Sequence, residues 1–296
     1  MSKSVMEIFR DYARGTLSEE DRNYYLQNLM CDEEKTIGKP LFEMNREEEL
    51  EFNCLCFNNK QGELKGYNCS ICKNKGEIMV IRDHTEYYAD CSCMTIRRSL
   101  KNMRRSGLGN LLKIYTFENY EHPAQWQTEA FTAALRFSAD KNALFFLICG
   151  QSGAGKSHLC TAIAGQLLRL GLELHYMLWL DESARIKQVA LDQVKYSAMV
   201  DNLKNVQVLY IDDFFKTDKT AKPTAADVRL ANEIINYRYN KCRADADKRL
   251  ITIISTELSI RQLNEIDSAI TGRIVEMAKP HYIVQVFGSD KNNRLK

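Results

Sequence analysis

The 296-residue chain has only 4 Pro and 14 Gly, and 45% of its residues are hydrophobic. That balance excludes a disordered chain and describes an ordinary folded protein. Internal repeats and low-complexity segments are absent. No apolar run approaches the ~18 residues needed to span a bilayer. The N-terminus, MSKSVMEIFRDY, lacks the long apolar stretch of a signal peptide. These absences predict a soluble, cytoplasmic protein with no membrane partner. An excess of either charge is also missing, since 41 Lys+Arg stand against 39 Asp+Glu. Whole-chain electrostatics therefore says nothing about partners, and only local clusters can.

Cysteine is what the chain has in quantity, with ten residues. Cys54, Cys56, Cys69, Cys72, Cys91 and Cys93 fall in one short region. Cys31, Cys149, Cys160 and Cys242 are scattered and read as small apolar residues. In a reducing compartment, clustered cysteines point to metal more often than to disulfides. Cys69-x-x-Cys72 and Cys91-x-Cys93 are two close pairs of soft donors, which suits tetrahedral Zn²⁺. Asn74-Lys75-Gly76 reads as a knuckle turn, and the β-prone EIMVIRD between the pairs completes the form of a zinc ribbon. Cys54 with Cys56, or His84, are alternative ligands, and Cys54 and Cys56 are also candidates for a second site. A closed four-thiolate site has no open position, so its expected role is structural. The stretch has little apolar material, and metal binding would supply its folding free energy.

Four segments follow from composition. Residues 1–50 read as short amphipathic helices, with Ser18 as the N-cap of SEEDRNYYLQNLM. They serve equally as a helical leader or as a binding segment. Residues 51–95 form the cysteine-rich module. Residues 96–114 are a basic linker helix broken at Gly107 and Gly109. Its Arg97, Arg98, Lys101, Arg104 and Arg105 suit nucleic-acid phosphates or a solvated face equally well. From residue 115 to 296, apolar strands such as ALFFLIC, VQVLYID and RLITIIS alternate with helical stretches. That alternation predicts an α/β fold with a parallel sheet between helices.

One of those strands runs into FFLICGQSGAGKSHL, residues 145–159. Gly150, Gln151, Ser152, Gly153, Ala154, Gly155, Lys156 and Ser157 fit G-x-x-x-x-G-K-[ST] in the strand–loop–helix setting that motif requires. Glycines let backbone N–H groups turn inward around phosphates, and the helix start adds its positive end. Lys156 is expected at the β- and γ-phosphates and Ser157 on Mg²⁺, with His158 beside the nucleotide. The partner carboxylates come from VQVLYIDDF. Asp212 at the strand end is the candidate for the Mg²⁺ shell, and Asp213 for polarising the attacking water.

These motifs, a strand ending IIST and a helix carrying TGRI together resemble the AAA+ ATPases, and within them the DnaC/DnaI-like bacterial helicase loaders. The resemblance covers roughly residues 69–296. The cysteine-rich module, the basic helix with SGL, the YTFENY entry segment, ISTELS and the terminal NRLK stand in that family's order. It implies a five-stranded parallel sheet, ATP hydrolysis to ADP and phosphate, and self-association into an AAA+ oligomer. It also implies single-stranded DNA as a partner, with residues 1–100 contacting a replicative helicase. Ser255 and Thr256 fall where a sensor strand approaches the γ-phosphate. Relatives often place Asn next, whereas this chain has Glu257, whose carboxylate a phosphate would repel; the resemblance therefore gives the role to Thr256. Arg273 matches the arginine finger that reaches a neighbour's ATP. Asp213 replaces the usual Glu and is one methylene shorter, which implies slow turnover. Tyr115 and Phe117 match an entry segment lying along the adenine. The tract 182–204 matches an inserted helix on which Arg185, Lys187 and Lys195 would touch a single strand's backbone. No helical lid follows the last strand, and Arg294 serves as a second sensor only if the tail folds back.

The leading expectation is an ATPase that loads the replicative helicase onto single-stranded DNA. A transposition-helper ATPase shares the core but usually lacks the cysteine module. A small-molecule phosphotransferase requires an Arg-rich lid, which the sequence does not offer. A nucleotide-binding scaffold with little turnover remains open because of Asp213 and Glu257.

Overall fold

Side-chain caps set the limits of the first helices in the computed structural model, which describes residues 3–105, 109–217, 221–245, 249–278, 281–288 and 291. The side chains of Arg104 and Arg105, Gly107 with the SGL segment, and Arg294 with the terminal NRLK lie outside the described residues. The chain divides into two compact units, Met1–Met94 and Thr95–Lys296.

The first unit begins with helices α1 (Val5–Ala13), α2 (Glu19–Asn28), α3 (Asp32–Ile37) and α4 (Arg46–Asn59). Ser4 and Asn45 close capping boxes on α1 and α4, and Ser18 caps α2 as expected. A small core gathers around Ile8, Tyr25 and the edge-on rings of Phe9 and Phe42. Glu34 is buried there without cost in unmet hydrogen bonds. It accepts from Tyr25 OH at 2.7 Å, Leu41 N at 2.7 Å and Cys31 N at 2.8 Å. The boundary expected at residue 50 falls inside α4, so the helices and the cysteine-rich stretch share one unit. That stretch carries the hairpin β1 (Glu77–Arg82) and β2 (Thr85–Asp90). Asp83 and His84 both take positive φ, 49° and 55°, as the two-residue turn of a right-twisted hairpin demands.

The second unit takes up most of α5 (Cys93–Arg105), then α6 (Leu111–Ile114), α7 (Gln125–Ala139), β3 (Phe145–Gly150), α8 (Lys156–Arg169) and β4 (Leu174–Leu178). There follow α9 (Trp179–Gln188), α10 (Gln193–Asn205), β5 (Val208–Asp212), α11 (Ala225–Ala244), β6 (Ile251–Thr256), α12 (Ile260–Ile266), α13 (Ser268–Ala278) and β7 (Ile283–Val286). The five strands form one parallel sheet in the order β4-β5-β6-β3-β7. This is the α/β architecture that the alternating pattern predicts. Every residue of β3, β5 and β6 is buried, which is why those strands read as unbroken apolar runs. The helical tract expected over 182–204 is two helices instead. Asp192 accepts from Lys195 N and caps α10, and Leu191 stands fully exposed just before it.

Arg238 of α11 is fully buried and has no carboxylate hydrogen-bonded to it among the described residues. It donates to Thr252 Oγ1 at 2.9 Å and to the carbonyls of Leu203, Val206 and Ile251 at 3.0, 2.9 and 2.7 Å. Burial holds its guanidinium down to about 9, so it stays charged at neutral pH. One side chain thus pins α11 to the end of α10 and the starts of β5 and β6. Loops that follow β3, β5 and β6 all leave the carboxyl edge of the sheet, where open α/β folds bind ligands.

Candidate functional site

The loop after β3 is shaped by two glycines. A Cβ on Gly150 would strike the carbonyl oxygen of Val286 on the neighbouring β7. Gly155 sits at φ +80° as the residue before α8, and a side chain there would also press on the Tyr120 ring at 3.1 Å. Lys156 follows and is buried, 6% exposed, with Nζ donating to Gln151 O at 3.0 Å. Burial lowers its pKa, against the opposing pull of Glu257, Asp213 and Asp212. An ammonium buried beside backbone N–H groups at a helix start is suited to hold phosphate oxygens.

The carboxylates arrive from β5. Asp212 lies at the strand end, where Ser157 Oγ donates to its Oδ1 at 3.3 Å. Ser255 Oγ also donates to that oxygen, and Tyr176 OH donates to Oδ2 at 3.1 Å. Burial and the adjacent Asp212 charge both push the Tyr176 phenol up, so it remains a donor. Asp213 turns into the left-handed region, φ +54°, with its N–H on Ser255 Oγ at 3.1 Å. That turn sends its carboxylate into a cleft of about 330 Å³. Residues 152–158 form one wall of the cleft, and Asp213, Lys216 and Glu257 face it with Tyr115 and Tyr120. Hydroxyl and carboxylate of Ser157 and Asp212 form a hard oxygen pair, the donor chemistry that fits Mg²⁺.

A family model described as Novel STAND NTPase 3 matches residues 126–294. The chain belongs to that family. Among its relatives, the phage-like element PBSX protein XkdC of Bacillus subtilis (strain 168) is 29% identical over 251 residues, 80% of this chain and 89% of the relative. The replicative helicase loader DnaC of Buchnera aphidicola subsp. Baizongia pistaciae (strain Bp) is 29% identical over 193 residues, 64% of this chain and 67% of that protein. A crystal structure of the DnaC helicase loader aligns with a TM-score of 0.47 and 21% identity, over 57% of this chain and 95% of that one. This STAND NTPase is thus related to helicase loaders of DNA replication.

Several expected residues stand elsewhere in the STAND NTPase core. Thr256 is fully buried, and its hydroxyl donates to Phe214 O at 2.8 Å while accepting from Leu258 N at 3.1 Å. With both capacities taken it braces the loop, and the cleft-facing residue of that stretch is Glu257. Phe117 is buried edge-on to Phe131 at 5.7 Å and does not line the cleft. Tyr115 does line it, stacked on His158 at 4.7 Å. His158 lies at 2.9 Å from Thr116 O through Nε2, and burial lowers its pKa. Arg273, on α13, is half-buried over the Tyr239 ring at 5.7 Å and is not a lining residue of its own chain's cleft. Of the expected backbone contacts for nucleic acid, Lys187 is paired with buried Asp227 at 2.6 Å and Lys195 with Asp192 at 2.9 Å, while Arg185 is exposed. Arg98 pairs with Glu173 at 3.4 Å.

Among the cleft residues that escaped the sequence reading are Tyr120 and Lys216. Tyr120 closes the YTFENY segment. Its buried hydroxyl has no hydrogen-bond partner among the described residues, and burial raises its pKa to about 12. Lys216 bonds Asp213 at 2.8 Å and Glu257 at 3.3 Å. The signal for Lys216 was its place three residues beyond the paired aspartates, on the same side of a turn.

In the first unit, the Sγ atoms of Cys69, Cys72, Cys91 and Cys93 all lie within 4.8 Å of one another, and all four residues are buried. Cys69 and Cys91 are 3.8 Å apart at sulfur, and Cys72 and Cys93 3.5 Å. Tetrahedral zinc with bonds of about 2.3 Å separates its sulfurs by about 3.8 Å, so the donor set fits the ion. Backbone N–H groups complete the site. Gly76 N donates to Cys72 Sγ at 3.3 Å, and Cys69 N to Asn74 Oδ1 at 2.8 Å, as a knuckle requires. Burial works against the Cys72 thiolate, yet Gly76 N–H and the neighbouring thiols bring it down to about 6. Cys54 and Cys56 sit on α4 outside the cluster, and His84 is exposed beside Glu47.

Proposed function

We propose that this STAND NTPase hydrolyses ATP to time the loading of a replicative helicase onto single-stranded DNA. The observation that carries the reading is the joining of Ser157 to Asp212 beside a buried Lys156, with Asp213 facing the same cleft. Gly150 to His158 wrap the phosphates, and Lys156 binds the β- and γ-oxygens. Ser157 and Asp212 would hold Mg²⁺, which neutralises phosphate charge when bound. Asp213 accepts the proton of the attacking water, whose oxygen bonds to the γ-phosphorus while the electron pair of the broken bond leaves on ADP. Tyr115, rather than Phe117, is the aromatic side chain placed to meet the base.

Cys69, Cys72, Cys91 and Cys93 would hold Zn²⁺ as a structural ion, and residues 1–100 are the part that meets the helicase. That assignment rests on the family resemblance; the name of one relative, replicative helicase loader DnaC, supports the helicase as partner but not the segment. Arg273 serves a neighbouring subunit's nucleotide in an oligomer. Lys101 and Arg185 are exposed basic residues offered to DNA phosphates. A cytoplasmic setting goes with this role, and no described helix is long and apolar enough to cross a membrane.

Lys156→Ala tests the core of the reading. Losing a charge-assisted contact to phosphate should weaken ATP binding about 100-fold or more, measured by calorimetry. Unchanged affinity removes the enzyme reading. A pull-down with the cognate helicase, with and without ATP, tests the partner; failure to retain it under both conditions removes the loader role. Arg273→Ala should keep binding and lose assembly-dependent hydrolysis, and full turnover discards the finger.

A further inference from the structure

Glu257 is an unwelcome group for a triphosphate cleft. It lines the same wall as Asp213, and it acts on Lys156 more strongly than either aspartate does. Two uncompensated carboxylates there would repel terminal phosphates. Lys216 answers both. Its Nζ bonds Asp213 Oδ2 at 2.8 Å and Glu257 Oε1 at 3.3 Å. Burial works to lower its pKa, but the two carboxylates more than offset that, so it is charged.

The backbone puts Lys216 there on purpose. Asp213 and Phe215 both hold positive φ, 54° and 59°, a strained conformation for residues with side chains. Strain of this kind persists only where the surroundings over-determine it. Phe214 N donates to Ser255 O at 2.8 Å, and Lys216 N to Asp213 O at 2.9 Å. The Phe214 and Phe215 rings are buried edge-on to Trp179 at 4.9 and 5.3 Å. A turn anchored on both sides thus carries one cation into the cleft.

We propose that Lys216 is the residue that distinguishes a nucleoside triphosphate from a diphosphate, because its ammonium bridges Asp213 and Glu257 and the γ-phosphate competes for it. Drawn to the phosphate, Lys216 still screens Glu257 and releases Asp213 Oδ2 to accept from water. Hydrolysis removes the competitor, and the Asp213 pair closes again. A diphosphate does not reach the bridge and leaves it intact. This inference rests on the nucleotide reading above.

The test is competition binding of ATP and ADP against a fluorescent nucleotide, with Mg²⁺ and the full chain. Wild type should prefer ATP. Lys216→Met should lose about tenfold or more in ATP affinity with ADP little changed, and Lys216→Arg should keep most of the preference. An ATP/ADP ratio in Lys216→Met equal to that of wild type overturns the proposal. Wild type that binds neither nucleotide overturns the underlying nucleotide reading instead. If Lys216→Met does not fold, Glu257→Gln decides. With Lys216 retained and one repulsion gone, ATP should bind about threefold tighter and ADP unchanged. An unaltered ratio there also refutes the role.

Discussion

The two sheets of this molecule are stabilised in opposite ways. In the five-stranded sheet, β3, β5 and β6 are buried at every position. In the two-stranded hairpin, Met79 is the one buried residue of β1, and no residue of β2 is buried. An isolated two-stranded hairpin is marginal in water. The large sheet is held by apolar surface, whereas the small one has little of its own and the four thiols lie at its base. Geometry at the nucleotide cleft is therefore a by-product of a packed core. The hairpin leans instead on α4, where Asn58 donates to Met79 O and accepts from Met79 N, each at 2.9 Å, and Phe57 meets the Tyr88 ring edge-on at 5.0 Å; a zinc ion at the four thiols would add to that.

Removing the zinc proposed for the four thiols should separate the two regions most widely. Chelation under reducing conditions, or Cys72→Ser, should erase hydrogen-exchange protection across Glu77–Asp90. Binding energies of about 10–16 kcal/mol are what small zinc modules lose in this way. Nucleotide binding by the second unit should persist. A hairpin that stays protected without metal would break the contrast. Arg238→Ala is the converse experiment, since it strands several buried carbonyls. A loss of about 3–5 kcal/mol in the thermal stability of the second unit is expected, with zinc stoichiometry unchanged. Cys56→Ser sharpens the comparison with the smallest effect. It should cost less than about 0.5 kcal/mol and leave one zinc per chain by native mass spectrometry; loss of the ion would move the ligand set.

What the sequence disclosed follows the reach of each interaction. Gly150 to Ser157 and Asp212-Asp213 were legible because spacing along the chain alone fixes their chemistry. The pairs Cys69/Cys72 and Cys91/Cys93 were legible for the same reason. Lys216 was not, because its meaning depends on Glu257, 41 residues further on and on another strand's loop. The family resemblance gave Thr256 a sensor role, but burial of that strand end turns its hydroxyl toward Phe214 O. The tract 182–204 holds no Gly or Pro, so its interruption was hidden, although Asp192 was a usable cap signal. Arg238 reads like any helical arginine, because its partners at the end of α10, at Val206 and on β6 are distant in sequence.

Gly288, two residues past β7, is fastened to the loop between β3 and α8. Gln151 donates to Gly288 O through its amide, and Gly288 N donates back to Gln151 Oε1 at 3.0 Å. This reciprocal clasp makes the last strand a tether. A shift of the backbone at Gly288 therefore reaches the loop between β3 and α8 through two hydrogen bonds to one side chain.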